Sequence, residues 1–190
     1  MSKSLDLRWL SLKWFSLDGK ILLITKFLRT LAFGYLSVAL PFYLGKDVLN
    51  LSGSLVGVIL TTALFGGAAF TIAGSFIANK MGRRTSLNLF ALLMLTSGIL
   101  LTASTDIVII FLAIFIGSIG VNATELGPFA SLEQAIMPQT TDEEKRTYAF
   151  SVYNLLGYAG ASFGSLLGGL PSVFHDYFGF ALIDGHRALF

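Results

Sequence analysis

The chain has 190 residues; 54% are hydrophobic, only 13% are charged, the net charge is +2 and the mean hydropathy is +0.75. A soluble domain carries about 25% charged residues, and a soluble fold of this size still turns most of its area to water, so this composition excludes water as the main solvent. There is no cysteine, which excludes a disulfide framework and a thiolate metal site, and the two histidines, His175 and His186, share one late loop without metal-ligand spacing.

The first segment carries Arg8, Trp9, Lys13 and Trp14. A basic and aromatic stretch suits either a short interfacial helix or an ordinary tail. Five long apolar runs follow, at 21–44, 55–78, 86–102, 107–126 and 148–170. Each is near the ~20 residues that cross a hydrocarbon core as a helix, and strand-like alternation is absent. The first run is too long for a signal peptide, and Pro41, Phe42 and Tyr43 stand where a small-residue cleavage site would be. A sixth run begins at Arg187-Ala188-Leu189-Phe190. The expected fold is therefore an all-α membrane protein. A cytoplasmic or interfacial segment (1–20) precedes a helical bundle (21–190) of five transmembrane helices plus the start of a sixth.

Short connectors separate the runs and carry most of the charge. With the N-terminus inside, the cytoplasmic face holds Lys3, Arg8, Lys13, Lys20, Lys80, Arg83, Arg84, Lys145 and Arg146, while the outer face holds Lys46 and Arg187. This Lys/Arg asymmetry predicts a cytoplasmic N-terminus and a multi-pass protein of the cell membrane.

After the second run the sequence reads SFIANKMGRR, Ser75 to Arg84. A glycine at 82 allows a tight turn between two spans, and basic residues hold the turn in the cytosol and bond helix C-terminal carbonyls. The segment resembles the signature of the major facilitator superfamily, G-x-x-x-D-R/K-x-G-R/K-R/K. Lys80, Gly82, Arg83 and Arg84 match, Asn79 stands at the acidic position and Ser75 at the first glycine, with Gly74 just before it. Asn79 supplies hydrogen bonds where the family has a charge. In the fifth run, GASFGSLLGG resembles the antiporter signature of the same superfamily, G-x-x-x-G-P-x-x-G-G. Gly160, Gly164, Gly168 and Gly169 match and Ser165 replaces the proline, removing a kink. Gly160, Gly164 and Gly168 form one stripe, which also reads as a surface for close helix packing. The resemblance implies an incomplete major facilitator fold, with two three-helix units of inverted topology and a cavity lined by the first and fourth helices.

Charges inside a span are costly and point to function. Arg29 lies nine residues past Lys20 in the first run, about 13 Å along a helix. Glu125 closes the fourth run. The pair is expected to meet in the cavity, with Glu125 able to carry a proton and Asn122 and Tyr35 as further polar groups. Snorkelling of Arg29 and helix ending at Glu125 are the structural alternatives. The segment from Glu133 to Arg146 reads as a solvated cytoplasmic connection.

No nucleophile–base set, phosphate loop or metal cluster is present, so neither an enzyme nor a cofactor is expected. The expected function is secondary transport of a small organic molecule, a proton-coupled efflux by alternating access. Its partners are lipid, protons, a small-molecule substrate and the missing C-terminal half, not nucleic acid. The chain is expected to be unable to transport alone, whether as a truncated product, a fragment of a longer chain or one half of a two-part assembly. The alternatives are a uniporter or symporter of sugars or metabolites, or a non-transporting module packed on another membrane protein.

Overall fold

The structure is a computed structural model that describes residues 15–45, 48–117 and 127–179, apart from the side chain of Phe178. The described residues form helices and turns, with no strand among them. α1 runs Leu17–Leu44, α2 Gly53–Met81, α3 Arg83–Ala103, α4 Ile107–Gly117, α5 Pro128–Ile136, α6 Arg146–Leu167 and α7 Leu170–Phe178.

Local chemistry explains the boundaries. Ser16 caps α1, its hydroxyl accepting from Gly19 N at 3.1 Å, and Asp18 lies in the first turn, where the helix dipole favours an anion. Ser52 caps α2, accepting from Leu55 N at 3.4 Å. Asp106 Oδ1 accepts from Val108 N at 2.8 Å and Ile109 N at 3.3 Å, and so starts α4. Gly127 precedes Pro128, which takes the first turn of α5, where its missing N–H costs nothing.

Gly82 alone separates α2 from α3. Its φ of 82° and ψ of 154° fall in a region that is essentially glycine-only. Gly82→Ala is therefore expected to destabilise the protein by about 1–3 kcal/mol. Thermal unfolding in detergent would read this; a variant as stable as the parent would show that the turn relaxes freely.

Three described helices are long and apolar enough to cross a membrane: α1, α2 and α3, with 28, 29 and 21 residues; α4 is a shorter apolar helix. The 22-residue α6 is long enough to span but is diluted by Ser151, Asn154 and its glycines. Its run was expected to continue through Leu170; instead it stops at Leu167, and α7 starts afresh with Pro171 in its first turn.

Packing divides the bundle into two groups. α1 lies chiefly on α6, while α2, α3, α4 and α5 pack on one another. In the second group Phe70, on α2, sits 6.1 Å from the Phe90 ring of α3 and 5.8 Å from the Phe115 ring of α4. Phe90 in turn lies 6.3 Å from Phe129 of α5. The buried hydroxyl of Ser97 donates to Ala113 O at 2.6 Å, tying α3 to α4 without leaving a buried donor unmade. Leu40, Tyr43, Leu44, Ile59, Leu101, Ile110 and Ile114 close the end away from the Gly82 turn. The outside stays apolar: Phe65, Phe76, Leu95, Leu155 and Leu166 are each more than 60% exposed. A surface of that kind belongs in lipid rather than water.

Candidate functional site

α1 places Lys26, Arg29 and Thr30 on one face, three and four residues apart, and all three are buried. Arg29 Nη2 meets Glu133 Oε2 of α5 at 2.7 Å, with the two side chains only 8% and 2% exposed. The same oxygen accepts from Tyr153 Oη of α6 at 2.8 Å. The Arg29 guanidinium stacks 4.2 Å from the centre of the Phe129 ring, and Lys26 Nζ lies 4.5 Å above the Tyr153 ring. One carboxylate thus joins α1, α5 and α6 and links the two packing groups. A buried ion pair repays its desolvation only with short, well-made hydrogen bonds, and this one has them.

This arrangement corrects the expectation for Glu133. It is not part of a solvated connection. It lies on α5, which starts at Pro128 and runs to Ile136, with Phe129, Leu132 and Glu133 buried on it. The signal was present in the sequence: Gly127-Pro128 reads as a helix start, and Glu133 falls four residues after Phe129. Glu125 and Asn122, the other expected groups, lie outside the described residues. Tyr35 is buried at the crossing of α1 with α6, where its backbone nitrogen sits 2.8 Å from a Cβ built on Gly164.

The glycine stripe of α6 is where α1 passes closest. A Cβ at Gly160 would lie 2.6 Å from Phe27 O, one at Gly168 would lie 2.6 Å from Val38 Cβ, and one at Gly164 would collide with Leu31 O. Across the crossing, a Cβ at Gly34 would collide with Ala161 O. Ser165 Oγ donates to Gly34 O at 3.2 Å, so this serine is a crossing residue as well. Gly157 extends the stripe by one more turn. A Cβ there would lie 2.8 Å from Lys26 Cε, so the lysine stem crosses α6 over this glycine. Gly169 is different: a Cβ there would meet nothing closer than Leu166 O at 3.9 Å.

In the basic turn, Arg83 Nη1 donates to Ala135 O at 2.8 Å, which caps the end of α5. Arg84 Nη2 pairs with Asp18 Oδ1 at 2.8 Å on the surface. Asn79 and Lys80 are exposed. Ser75 is exposed too, its hydroxyl donating back to Thr71 O at 3.2 Å. The close approach belongs to Gly74, where a Cβ would lie 3.0 Å from Pro128 Cβ.

Two cavities flank the ion pair. One, of about 590 Å³, runs between α1 and α3 and is lined mainly by apolar groups such as Leu28, Leu36, Met94 and Leu95. The other, of about 530 Å³, opens beside Asp18 and Arg84 and reaches Arg29 and Glu133. Among the described residues no group of three His, Cys, Asp or Glu side chains is placed to hold a metal.

Comparisons with known proteins place these features in a family. The model of the Major Facilitator Superfamily matches residues 22–183. The chain is 26% identical, over 155 residues, to an uncharacterized membrane protein of Saccharomyces cerevisiae, covering 82% of this chain and 34% of that protein. It is 27% identical over 134 residues to the arabinose-proton symporter of Bacillus subtilis, covering 70% of this chain and 28% of the symporter. The chain therefore spans about a third of the length of these relatives. No solved structure matches it. With the family model covering nearly all of the helical region, and with helices built for lipid, the chain is an integral membrane protein that belongs to the Major Facilitator Superfamily.

Proposed function

We propose that the whole protein, of which this bundle is the first part, is a proton-coupled secondary transporter of a small organic molecule and not an enzyme. In this reading the N-terminus and the Gly82 turn face the cytoplasm of the cell. Residues 1–20 form a cytoplasmic or interfacial segment, and 21–190 form an incomplete six-helix bundle of five spans and the start of a sixth. Alternating access comes from rocking of this bundle against a second one, which the relatives' greater length leaves room for.

The observation that carries the reading is the buried Arg29–Glu133 pair at 2.7 Å. An intramembrane carboxylate held by a cation and a phenol has two stable conditions. Ionised, it binds Arg29 and Tyr153; protonated, it releases the cation's charge. Conformations that differ in how well they keep the pair together then differ in proton affinity, which is what coupling requires. Glu125, Asn122 and Tyr35 are further candidates for the polar groups of the transport cavity.

Efflux is the direction we assign on the likeness of Gly160, Gly164, Gly168 and Gly169 to the antiporter pattern, from which Ser165 departs. A second reading, symport of a sugar, is favoured by the similarity to an arabinose-proton symporter.

The test is proton movement in vesicles containing the full-length protein, followed with a pH-sensitive dye as a panel of solutes, arabinose included, is added. Solute-dependent proton flux is expected, opposite in sign to solute flux for efflux and of the same sign for symport. Glu133→Gln is expected to reduce that flux by about two orders of magnitude, the scale on which a positioned proton-transfer group acts. Unchanged flux in this variant would remove Glu133 from the coupling mechanism.

A further inference from the structure

We propose that the uncovered polar face of α6, carrying Ser151, Asn154, Tyr158 and Ser162, is a wall of the solute passage and takes an uncharged solute with several hydroxyl groups. The inference rests on the transport reading above and names its substrate class; it does not depend on Glu133 as the proton carrier.

α6 divides lengthwise into three arcs. Gly157, Gly160 and Gly164 lie against α1. A second arc is apolar and turned outward, with Leu155, Phe163 and Leu166 exposed as lipid requires. The third holds Thr147, Ser151, Asn154, Tyr158 and Ser162, all five exposed. Their spacing of four, three, four and four residues keeps them within an arc of about 80°. Ser165 continues the line but is taken up at the α1 crossing, where it bonds Gly34 O.

Lipid cannot serve this third arc. Exposed hydroxyls elsewhere turn back on their own helix: Thr61 donates to Gly57 O at 2.8 Å and Thr96 to Leu92 O at 2.8 Å. Ser151 does the same, to Thr147 O at 3.0 Å. Asn154, Tyr158 and Ser162 do not; their side chains make no hydrogen bond to any described residue. Counted from Arg146, they lie about 12, 18 and 24 Å along α6, within a hydrocarbon core about 30 Å thick. A carboxamide, a phenol and a hydroxyl at that depth need partners that acyl chains do not supply. A closely packed helix fits no better. Close contact in lipid uses small residues, and the glycines of α6 face α1. Tyr158, 68% exposed, stands out from the middle of the polar arc and holds a neighbouring backbone off. Open, wet space remains.

The arc also selects among solutes. Its hydroxyls and its carboxamide each donate and accept, which matches the hydroxyl groups of a solute. It carries no charged residue, so an ionic solute finds no counter-charge on it. The buried cations of α1 point elsewhere, Arg29 to Glu133 and Lys26 over the Tyr153 ring. An apolar solute would leave three polar side chains unpaired. The Tyr158 ring adds an apolar surface for the carbon side of a polyhydroxylated ring. Asn154 directly follows Tyr153, whose hydroxyl is on Glu133, so solute and buried carboxylate meet adjacent residues of one helix.

The experiment uses the full-length protein with any cysteine outside this chain replaced; the chain itself has none. Single cysteines are placed at Asn154, Ser162, Leu155 and Leu166, with Ser151→Cys in reserve should a polar position fail to insert. Reaction with a positively charged, membrane-impermeant methanethiosulfonate is measured in open membrane vesicles. The reagent attacks hydrated thiolates, so Asn154→Cys and Ser162→Cys are expected to react at least about a hundredfold faster than Leu155→Cys and Leu166→Cys. Labelling is then repeated with arabinose, glucose, inositol, glycerol, citrate and tetraphenylphosphonium. At least one of the four neutral solutes is expected to slow Asn154→Cys or Ser162→Cys about fivefold, as occupancy of most sites would give, and neither ion is. Rates at the polar positions as slow as at Leu155 would overturn the wall and mean that a helix or lipid covers it. Protection by citrate or tetraphenylphosphonium alone, or by none of the six, would overturn the substrate class. Protection by a neutral solute with unimpaired proton flux in Glu133→Gln would leave the wall standing and refute the coupling role of Glu133. Solute-driven proton flux with slow labelling at both polar positions would keep the transport reading and refute the wall.

Discussion

Glu133→Ala is expected to destabilise the bundle by about 3–5 kcal/mol, the usual cost of removing one member of a buried ion pair. The loss has two sources. Arg29, 8% exposed, loses the carboxylate 2.7 Å away, and Tyr153 Oη loses its acceptor at 2.8 Å. Controls apportion the effect. Tyr153→Phe keeps the ring under Lys26 and removes only the hydrogen bond to the carboxylate, so about 1.5–3 kcal/mol is expected. The double replacement Arg29→Met with Glu133→Leu removes both charges and is expected to recover the share owed to the stranded guanidinium, because apolar substitutes carry no desolvation penalty, while the Tyr153 hydrogen bond stays lost. Unfolding in detergent followed by helical circular dichroism would measure all three. Should Glu133→Ala lie within 1 kcal/mol of the parent, where exposed pairs fall, the pair does not hold the two packing groups together.

The second large effect is expected at the crossing of α1 and α6. Gly164→Val places a Cβ into the Leu31 carbonyl and 2.8 Å from Tyr35 N, and both are backbone atoms of a helix that cannot yield locally. Overpacking of this kind should cost about 3 kcal/mol or more and prevent the helices from closing. Gly169→Ala, which meets nothing nearer than 3.9 Å, should stay within about 0.5 kcal/mol. The contrast separates two accounts of the same residues. A packing stripe makes Gly160, Gly164 and Gly168 sensitive and Gly169 indifferent, while at Gly157 the neighbour is the end of the Lys26 side chain, which can shift. Equal sensitivity at Gly164 and Gly169 would mean that their shared pattern, not contact with α1, sets their importance.

The ion pair and the stripe are connected through Gly157. The lysine stem that crosses this glycine ends over the Tyr153 ring, and the hydroxyl of that ring is on Glu133. Close approach of α1 to α6 thus brings Arg29 to the carboxylate and Lys26 over the ring of the tyrosine that bonds it. In lipid, where apolar burial gives helices no reason to associate, small residues that permit backbone contact and a polar link that demands it together do what a hydrophobic core does in water.

Much of this protein was legible from the chain alone because its signals are local or compositional. Apolar runs of 17 to 24 residues between charged connectors read as membrane helices, and three of them are described at that length as α1, α2 and α3. Gly82 among basic residues read as a tight turn, and together with the α6 glycines it pointed to the family. What could not be read was the pairing across distance. Arg29 was recognisable as a charge needing a partner, but its described carboxylate lies 104 residues away, on a helix that starts after Gly127, beyond the point where hydropathy alone ends the span. Likewise Gly74, not Ser75, proved to be the close contact, since which helix face meets Pro128 depends on how α2 lies against α5. Composition and period determine that a segment is helical and what solvent it faces, because each residue contributes independently. Which side chain receives a buried charge depends on helix rotation and depth, and only packing of the whole bundle sets those.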